Sequence, residues 1–143
     1  MLGLPIRDVL EPRKLVVAGP SATVCDAARL MLHGNVGAIL VVDEGRLVGI
    51  FTERDALVRV IACGRDPALV QLHEVMTADP DTVEPGETFG YALLLMYERG
   101  FRHLPVVEQG RPIGVVSARH ALDPELEEFA AEESRRKAIK RRA

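Results

Sequence analysis

Residues 35–55 read NVGAILVVDEGRLVGIFTERD, in which two apolar segments flank a short polar turn. The segments Ala38–Val42 and Leu47–Phe51 are rich in branched aliphatic residues, and Glu44-Gly45 between them is typical of a tight β-turn. This pattern predicts a β-hairpin, followed by a helix over Glu53–Ala62. Such continuous apolar strands predict a sheet that helices cover on at least one face.

The same pattern occurs twice in the chain. A shift of 65 positions aligns residues 20–57 with residues 85–122 without a gap and gives 13 identities at 38 positions, where average residue frequencies give about two or three. The identical pairs are Pro20/Pro85, Thr23/Thr88, Ala27/Ala92, Leu30/Leu95, Met31/Met96, Val41/Val106, Val42/Val107, Gly45/Gly110, Arg46/Arg111, Gly49/Gly114, Arg54/Arg119, Ala56/Ala121 and Leu57/Leu122. Residues 7–10 also resemble residues 73–76 with a shift of 66. We therefore interpret the chain as a tandem duplication. It is a pseudo-symmetric pair rather than a solenoid, because a solenoid normally needs three or more copies.

Each copy predicts the same order of elements: a short strand, a helix capped by threonine, a hairpin and a closing helix. The first copy gives Leu15–Val17, a helix after Thr23, the hairpin already described and Glu53–Ala62; the second gives Thr82–Val83, a helix after Thr88, strands Leu104–Val107 and Pro112–Val116, and a shorter helix from Ala118. We therefore predict an α/β (α+β) fold of two pseudo-symmetric repeats, residues 1–66 and 67–122, each a small sheet packed by helices. Residues 64–70 form the linker between them.

The last residues, 123–143, form a separate tail. Asp123 and Pro124 are typical of a helix start, and acidic residues come before basic ones, an order that suits the helix dipole. We predict a C-terminal helix to about residue 138. Its basic end is read as a solvated helix end rather than a nucleic-acid arm.

Composition limits the possible functions. Hydrophobic residues make up 48% of the chain, aromatic residues only 4%, and Trp is absent, so a platform of aromatic side chains for base stacking is not expected. The net charge of −3 gives no overall attraction to nucleic acid. Arg7 and Asp8 stand where a signal peptide needs apolar residues, and no apolar run approaches a membrane span, so we expect a cytoplasmic protein. Cys25 and Cys63 match no metal spacing and are interpreted as reduced thiols in the core.

Residues 35–55, together with their second form at Phe101–Glu108 and Gly114–Ser117, resemble the CBS (cystathionine β-synthase type) domain over about residues 6–122. The resemblance implies a tandem CBS pair, or Bateman module, whose repeats pack through their sheets about a pseudo-twofold axis. It implies two clefts at this interface that accept AMP, ADP, ATP, NAD-type or S-adenosyl ligands, with no required cofactor. It also implies a homodimer that acts on an unknown regulated protein. Met31, Leu32, Met96 and Tyr97 are candidates for the apolar dimer surface.

The ligand motif of that family, Gly-hydrophobic-hydrophobic-Ser/Thr-x-x-Asp, is intact at Gly49–Asp55. The carboxylate of Asp55 can accept from both ribose hydroxyls, and the Thr52 hydroxyl with nearby backbone N–H groups suits a phosphate. The alternative is that Thr52 only caps a helix and Asp55 is an acid of its first turn, a cap worth about 0.5–2 kcal/mol.

The second copy departs from this motif, since His120 replaces the acid. An imidazole cannot accept from two hydroxyls as a carboxylate does, so we expect this cleft to be weaker, differently selective or empty. Arg102 and His103 match family positions that contact phosphate, although Arg102 can equally be a solvated charge; their equivalents Gly37-Ala38 leave room but supply no charge. The ligand-binding residues that the resemblance implies are Gly37, Ala38, Ile39, Thr52, Arg54, Asp55, Thr82, Arg102, His103, Pro105, Ser117, Arg119 and His120.

No catalytic or metal site is expected from the sequence. The four histidines form no close-spaced metal pair, phosphate-binding glycine loops are absent, and Ser117 with His120 is not an established nucleophile and base. Two hypotheses remain. The first is a regulatory module that binds an adenosine-type nucleotide between its repeats, favoured by Asp55. The second is a non-catalytic structural or interaction dimer with empty clefts, favoured by His120.

Overall fold

The computed structural model describes residues 1–11, 14–121 and 123–142, with side chains given outside residues 123–127 and 141–142. The first half contains a 3-10 turn (Ile6–Asp8), strand β1 (Val17–Ala18), helix α1 (Val24–Gly34), strands β2 (Ala38–Asp43) and β3 (Arg46–Thr52), the turn α2 (Glu53–Asp55) continued by a π-helix (Ala56–Ile61), helix α3 (Leu72–Val75) and strand β4 (Thr77–Ala78). The second half contains helix α4 (Phe89–Arg99), strands β5 (His103–Glu108) and β6 (Arg111–Ser117), a 3-10 turn (Ala118–Ala121) and helix α5 (Asp123–Arg142).

The predicted fold class is confirmed: two small sheets are packed by helices, and a C-terminal helix follows. The Thr23 hydroxyl accepts the backbone N–H of Asp26 at 3.1 Å, and the Thr88 hydroxyl accepts that of Tyr91 at 3.2 Å, so both predicted caps are present. The C-terminal helix is longer than predicted and runs to Arg142.

Both predicted hairpins form. In each one the two turn residues have positive φ, at Glu44-Gly45 and at Gln109-Gly110, as the tight turns of β-hairpins require. Strands β1 to β4 form one sheet in the order β1-β2-β3-β4, and β5 pairs with β6 in a second sheet. The register shifts between residues 41 and 42 in the first hairpin and between residues 106 and 107 in the second, which is the same place in the two copies.

The predicted strand Thr82–Val83 is reduced to a single bridge between Val83 and Val106. In the first copy Leu40 donates its N–H to the carbonyl of Val16 at 3.0 Å. The residue equivalent to Leu40 is Pro105, which has no N–H to donate. The second copy therefore cannot repeat this bond. The equivalent strand of the first copy, predicted at Leu15–Val17, forms slightly later in the chain, at Val17–Ala18.

Each repeat has its own core, and the two cores exchange flanking segments. Ile6 packs in the second core, and the N–H groups of Ile6 and Phe89 donate to Glu87 and Leu4 at 2.8 and 2.9 Å. Conversely, Val70, Leu72 and Val75, at and just after the end of the linker, pack in the first core. The cores consist of Val24, Ala27, Met31, Ile39, Val41, Phe51, Val60, Val70, Leu72 and Val75 (first core) and of Ile6, Val83, Phe89, Ala92, Met96, Leu104, Val106 and Val116 (second core). The division at residue 66 remains a prediction about sequence units.

A third apolar cluster joins the repeats. Ala38, Leu40 and Ile50 on the first hairpin pack with partly buried side chains that include Val115 of β6. The N–H of Leu47 also donates to the carbonyl of Gly110 at 3.4 Å. The two sheets therefore meet through β2, β3 and β6.

Two expectations about side chains are corrected. Cys63 is exposed and Cys25 only partly buried, because Cys63 follows the end of the π-helix and Cys25 lies in the first turn of α1 beside the linker. Met31 and Met96 are buried in the two cores, so they do not extend a dimer surface; Leu32 and Tyr97 are 83% and 85% exposed. None of the helices in the described part of the chain is long and apolar enough to cross a bilayer.

Candidate functional site

A cavity of about 260 Å³ lies between the two repeats. It forms where the first residues of β2 and β5 meet the end of β6 and the 3-10 turn that follows. Its wall consists of Glu11, Lys14, Asn35, Val36, Gly37, Ala38, Glu53, Arg102, His103, Val115, Ser117, Ala118, Arg119 and His120.

Equivalent backbone hydrogen bonds in the two repeats hold this wall together. The N–H of Glu53 donates to the carbonyl of Gly37, and the N–H of Ala118 donates to the carbonyl of Arg102, each at 3.0 Å. These two bonds are related by the 65-residue shift. In each repeat the bond joins the residue before the first strand of the hairpin to the helical turn that follows its second strand. The predicted duplication therefore extends to the site.

Gly37 permits a close approach of side chains inside the cavity. A Cβ atom at this position would lie 2.7 Å from Oε1 of Glu53 and 3.2 Å from Nε2 of His103. Both distances are tighter than ordinary van der Waals contact, so any larger residue would displace these two groups. The glycine thus allows a carboxylate and an imidazole from different repeats to share one end of the cavity.

The charged side chains on the wall favour an anionic ligand. Lys14, Arg102 and Arg119 supply three cationic groups, whereas Glu11 and Glu53 supply two carboxylates. Lys14 donates one hydrogen bond to the carbonyl of Asn35 at 3.3 Å and keeps its other two N–H bonds for further acceptors. This local excess of positive charge contrasts with the net charge of −3 of the whole chain.

His103 lies within this charged environment. Burial is the main reason that its pKa lies below the ordinary value of 6.5; the Glu53 carboxylate opposes this shift, while Arg119, Arg102 and His120 reinforce it. This shift favours the neutral imidazole of His103, which has one ring nitrogen that donates a hydrogen bond and one that accepts.

His120 is held by the turn on which it lies. Its Nδ1 accepts the backbone N–H of Ser117 at 2.9 Å, and the Ser117 hydroxyl accepts the N–H of Arg119 at 3.2 Å. Its Nε2 lies 3.9 Å from Oε1 of Glu11, and the side chain is 13% exposed. The ring is thereby oriented along the cavity wall.

Asp55 occupies the equivalent position in the first repeat, but it does not line this cavity. Its Oδ2 accepts the backbone N–H of Thr52 at 2.9 Å and the Thr52 hydroxyl at 3.1 Å. Its Oδ1 lies 3.6 Å from Nε of Arg59, which in turn donates to the carbonyls of Val75 and Met76. The capping contacts of Thr52 and Asp55 are therefore present; whether Asp55 also binds ribose stays a prediction.

The structure brings seven of the thirteen predicted ligand residues to the cavity wall: Gly37, Ala38, Arg102, His103, Ser117, Arg119 and His120. The sequence assigned Gly37-Ala38 and Arg102-His103 to different copies, and both pairs line the cavity whose wall includes His120. The other six do not line this cavity. Ile39 and Pro105 are buried within the protein, and Arg54 and Thr82 are exposed. Thr52 and Asp55 are partly buried at the end of β3.

Seven wall residues were missed: Glu11, Lys14, Asn35, Val36, Glu53, Val115 and Ala118. Glu53 lies inside the recognised motif, but at one of its variable positions. Lys14 precedes the first strand and carries no motif. Among the residues that the structure describes, no group of three or more His, Cys, Asp or Glu side chains could hold a metal ion.

The comparison with known proteins agrees with this architecture. A family model of the CBS domain matches residues 6–62 and 72–125. The chain therefore belongs to the CBS domain family and is a tandem CBS pair. The resemblance predicted from the sequence is confirmed.

Two relatives with CBS-like sequences differ greatly in the share of their length that this chain matches. The chain is 36% identical over 112 residues to the CBS domain-containing protein YhcV of Bacillus subtilis, covering 78% of this chain and 79% of that protein. It is 35% identical over 120 residues to the meiotically up-regulated gene 70 protein of Schizosaccharomyces pombe, covering 82% of this chain. It spans only 16% of that second protein's length, so a pair of this type also occurs inside a much longer chain.

Solved structures show the same fold. A putative signal-transduction protein with CBS domains from Burkholderia ambifaria MC40-6 has a TM-score of 0.79 at 31% identity, over 87% of this chain and 95% of its own. A hexameric CBS-CP12 protein from bloom-forming cyanobacteria has a TM-score of 0.76 at 27% identity, over 96% and 88%. The CBS domain pair of protein MJ0100, in complex with 5′-methylthioadenosine and S-adenosyl-L-methionine, shares the fold with a TM-score of 0.74 at 24% identity, over 82% and 96%.

Proposed function

We propose that this chain is a regulatory module that binds an anionic adenosine-type ligand in the cavity between its repeats. Both repeats contribute to the wall, so a bound ligand contacts residues of each and favours one arrangement of the pair. A partner protein that senses this arrangement would respond by a shift of population between states. The module itself performs no chemistry in this proposal.

The observation that carries the proposal is the convergence of Lys14, Arg102 and Arg119 on one cavity. Arginine offers a planar set of N–H donors that matches phosphate and carboxylate oxygens. These three side chains come from separate segments of the chain. Folding is therefore required to collect them, unlike a run of charges along a solvated helix.

The size of the cavity limits the ligand. About 260 Å³ lies just below the roughly 300–1,000 Å³ of typical small-molecule sites. Of the ligands implied by the resemblance, a mononucleotide or an S-adenosyl compound suits this space better than NAD, which contains two nucleotides. The MJ0100 pair binds 5′-methylthioadenosine and S-adenosyl-L-methionine, which have no net negative charge, so it supports the adenosine part of this proposal and not the anionic part.

Calorimetric titration of the intact protein with AMP, ADP, ATP, NADH and S-adenosylmethionine tests the proposal. Arg119→Gln should weaken binding of the preferred ligand at least about tenfold, because a hydrogen bond to a charged group is lost. Arg54→Gln is the matched control, since Arg54 is the equivalent residue of the first repeat and lies outside the cavity. Equal losses in both variants, or no binding of any of these compounds, would contradict the proposal.

The rival function, an interaction dimer with empty clefts, draws on a different observation. Leu32 and Tyr97, at equivalent places in α1 and α4, expose apolar surface that a partner could cover. We propose that a second copy covers it, since closed twofold dimers are the commonest soluble homo-oligomers and the cyanobacterial relative is itself oligomeric.

Sedimentation equilibrium decides this point. We expect a mass of about twice 15.7 kDa at micromolar concentration, and dissociation in Leu32→Glu and Tyr97→Glu. Arg111→Glu, at the exposed start of β6, changes charge away from these helices and serves as the control. A monomer mass across a hundredfold range of concentration would reject the dimer without touching the proposed ligand.

A further inference from the structure

The two repeats make the same backbone hydrogen bond with chemically different side chains. In the first repeat the N–H of Thr52 donates to Oδ2 of Asp55 at 2.9 Å, and in the second the N–H of Ser117 donates to Nδ1 of His120 at 2.9 Å. The donors and the acceptors are each related by the 65-residue shift. His120 thus takes over the capping role of the acid.

This bond fixes the position of the proton on the His120 ring. A backbone N–H can only donate, so the Nδ1 that it meets carries no hydrogen, and a neutral imidazole then carries its proton on Nε2. The second oxygen of Asp55 is an acceptor, whereas the second nitrogen of His120 is a donor. The polarity of the two equivalent positions is therefore opposite.

The surroundings of Nε2 suit an incoming acceptor. The Oε1 atom of Glu11 lies 3.9 Å from Nε2, beyond hydrogen-bond distance, and Glu11 is about half exposed. Nε2 has no hydrogen bond to any residue in the described part of the chain. The same cavity wall carries Arg102 and Arg119, which have donors and no acceptors.

We propose that Nε2–H of His120 donates to a phosphate oxygen of the ligand, so that the phosphate, and not the ribose, contacts the motif of the second repeat. The inference rests on the proposed function and makes it more specific: the site takes a nucleoside phosphate rather than a nucleoside. A phosphate oxygen can only accept, so it matches Nε2–H fully, whereas each hydroxyl of a ribose diol also has a proton to donate, for which His120 offers no second acceptor.

Two substitutions at His120 separate polarity from structure. His120→Asp keeps an acceptor for the Ser117 N–H, as in the first repeat, but directs a carboxylate at the phosphate. His120→Gln keeps both roles, because its amide oxygen can accept from Ser117 and its NH₂ can donate. Calorimetric titrations of both variants and the wild type use AMP and adenosine, which differ only in the phosphate.

For the wild type we expect AMP to bind at least about tenfold more tightly than adenosine. His120→Asp should lower the AMP affinity by about tenfold or more and change the adenosine affinity less than about threefold, while His120→Gln should retain AMP binding. His33→Asp, at an exposed histidine of α1 outside the cavity, is the control and should leave AMP binding unchanged. A loss in His33→Asp as large as that in His120→Asp would show that the effect of the charge is not local to the cavity and would overturn the proposal.

The remaining outcomes are also distinct. If wild-type protein binds AMP and His120→Asp binds it equally well, or loses AMP and adenosine in equal measure, the phosphate assignment is wrong and the proposed function stands. If no nucleotide binds the wild type, both fail. If His120→Asp does not fold, ¹⁵N NMR of the wild-type imidazole replaces it: the Nε2 signal should move on addition of AMP and not of adenosine, and equal responses would overturn the proposal.

Discussion

The first and second repeats differ little in how they pack and much in what they present to the cavity. Gly49 in β3 and Gly114 in β6 are equivalent, and each is covered by a side chain from outside its own hairpin. A Cβ on Gly49 would collide with Sδ of Met76, and one on Gly114 would lie 2.9 Å from Cδ2 of Leu10. Met76 and Leu10 are themselves related by the 66-residue shift. The motif glycine therefore serves packing in both copies.

The turns that follow these strands diverge in chemistry while they keep one geometry. Asp55 directs a carboxylate to Thr52 and Arg59, and His120 directs an imidazole to Ser117 and the cavity. The capping bond is kept at 2.9 Å in both repeats and constrains one atom of each side chain. The second polar atom differs: Oδ1 of Asp55 lies 3.6 Å from Nε of Arg59, whereas His120 lies on the cavity wall, where its Nε2 can meet a ligand.

The largest effect should come from separating the exchanged segments. A fragment of residues 1–66 lacks Val70, Leu72 and Val75 of the first core, and its Ile6 has no second core to enter. We expect it not to fold as a stable monomer, because about sixty residues bury little surface even when their core is complete. Circular dichroism and urea denaturation should show no cooperative transition.

A second fragment sharpens this comparison. Residues 14–78 have nearly the same length but contain the whole first core and all four strands of its sheet. We expect this fragment to be more helical and more resistant to urea than residues 1–66. A sharp, concentration-independent transition of fragment 1–66 would show that the exchanged segments are dispensable.

A smaller effect is expected at the two motif glycines. Gly114→Ala should lower the free energy of unfolding by about 1–3 kcal/mol, because its Cβ meets the branched end of Leu10. Gly49→Ala should cost less, since the unbranched Met76 side chain can move aside. Urea denaturation measures both, and Gly19→Ala, which meets nothing within 4 Å, is the control. Leu10→Ala should relieve part of the Gly114→Ala loss; if the losses simply add, the glycine has another role.

Much of this fold could be predicted from the sequence because local signals and the duplication agreed. Thr23, Thr88 and the Glu44-Gly45 turn act through hydrogen bonds and backbone angles within a few residues, and all formed as predicted. The exchange of Ile6 and Leu72 between cores could not be predicted, because an apolar residue carries no label for which of two similar cores it enters.

The cavity shows the same division. Gly37, Arg102 and Ser117 were found through a family motif, whereas Glu53 and Lys14 reach the wall through tertiary packing at positions where many residue types are compatible with the fold. The thiol of Cys63 was misplaced in the core because residue type is only an average guide to burial. Which nitrogen of His120 carries the proton follows only from its contact with the N–H of Ser117, and no sequence pattern shows that contact.

A substitution at Asp55 tests the comparison of the turns. Asp55→Ala should lower the free energy of unfolding by about 0.5–2 kcal/mol, because the N–H and hydroxyl of Thr52 lose their acceptor. Asp55→Asn keeps an acceptor and should cost less. AMP affinity should hardly change, since Asp55 lies outside the cavity. Calorimetry that instead shows a loss of about 1–3 kcal/mol in binding would mean that a ligand also contacts the first turn, as the sequence predicts.

The smallest effect should be a dependence of stability on pH through His103. The pKa of His103 in the folded protein lies below the 6.5 of a free side chain, chiefly through burial. Between these two values the unfolded chain binds the proton and the folded one does not, so stability decreases as the pH falls through about 6.5 and levels off below the lowered pKa. Melting temperatures from pH 8 to pH 5 should show this decrease. His103→Gln should reduce the decrease, and His33→Gln, at an exposed residue of α1, should not.

Glu53→Gln provides the sharper test. The Glu53 carboxylate opposes the shift, so its removal should lower the pKa of His103 further and steepen the loss of stability at acid pH. An unchanged pH profile in both His103→Gln and Glu53→Gln would show that the imidazole and the carboxylate do not interact across the repeats.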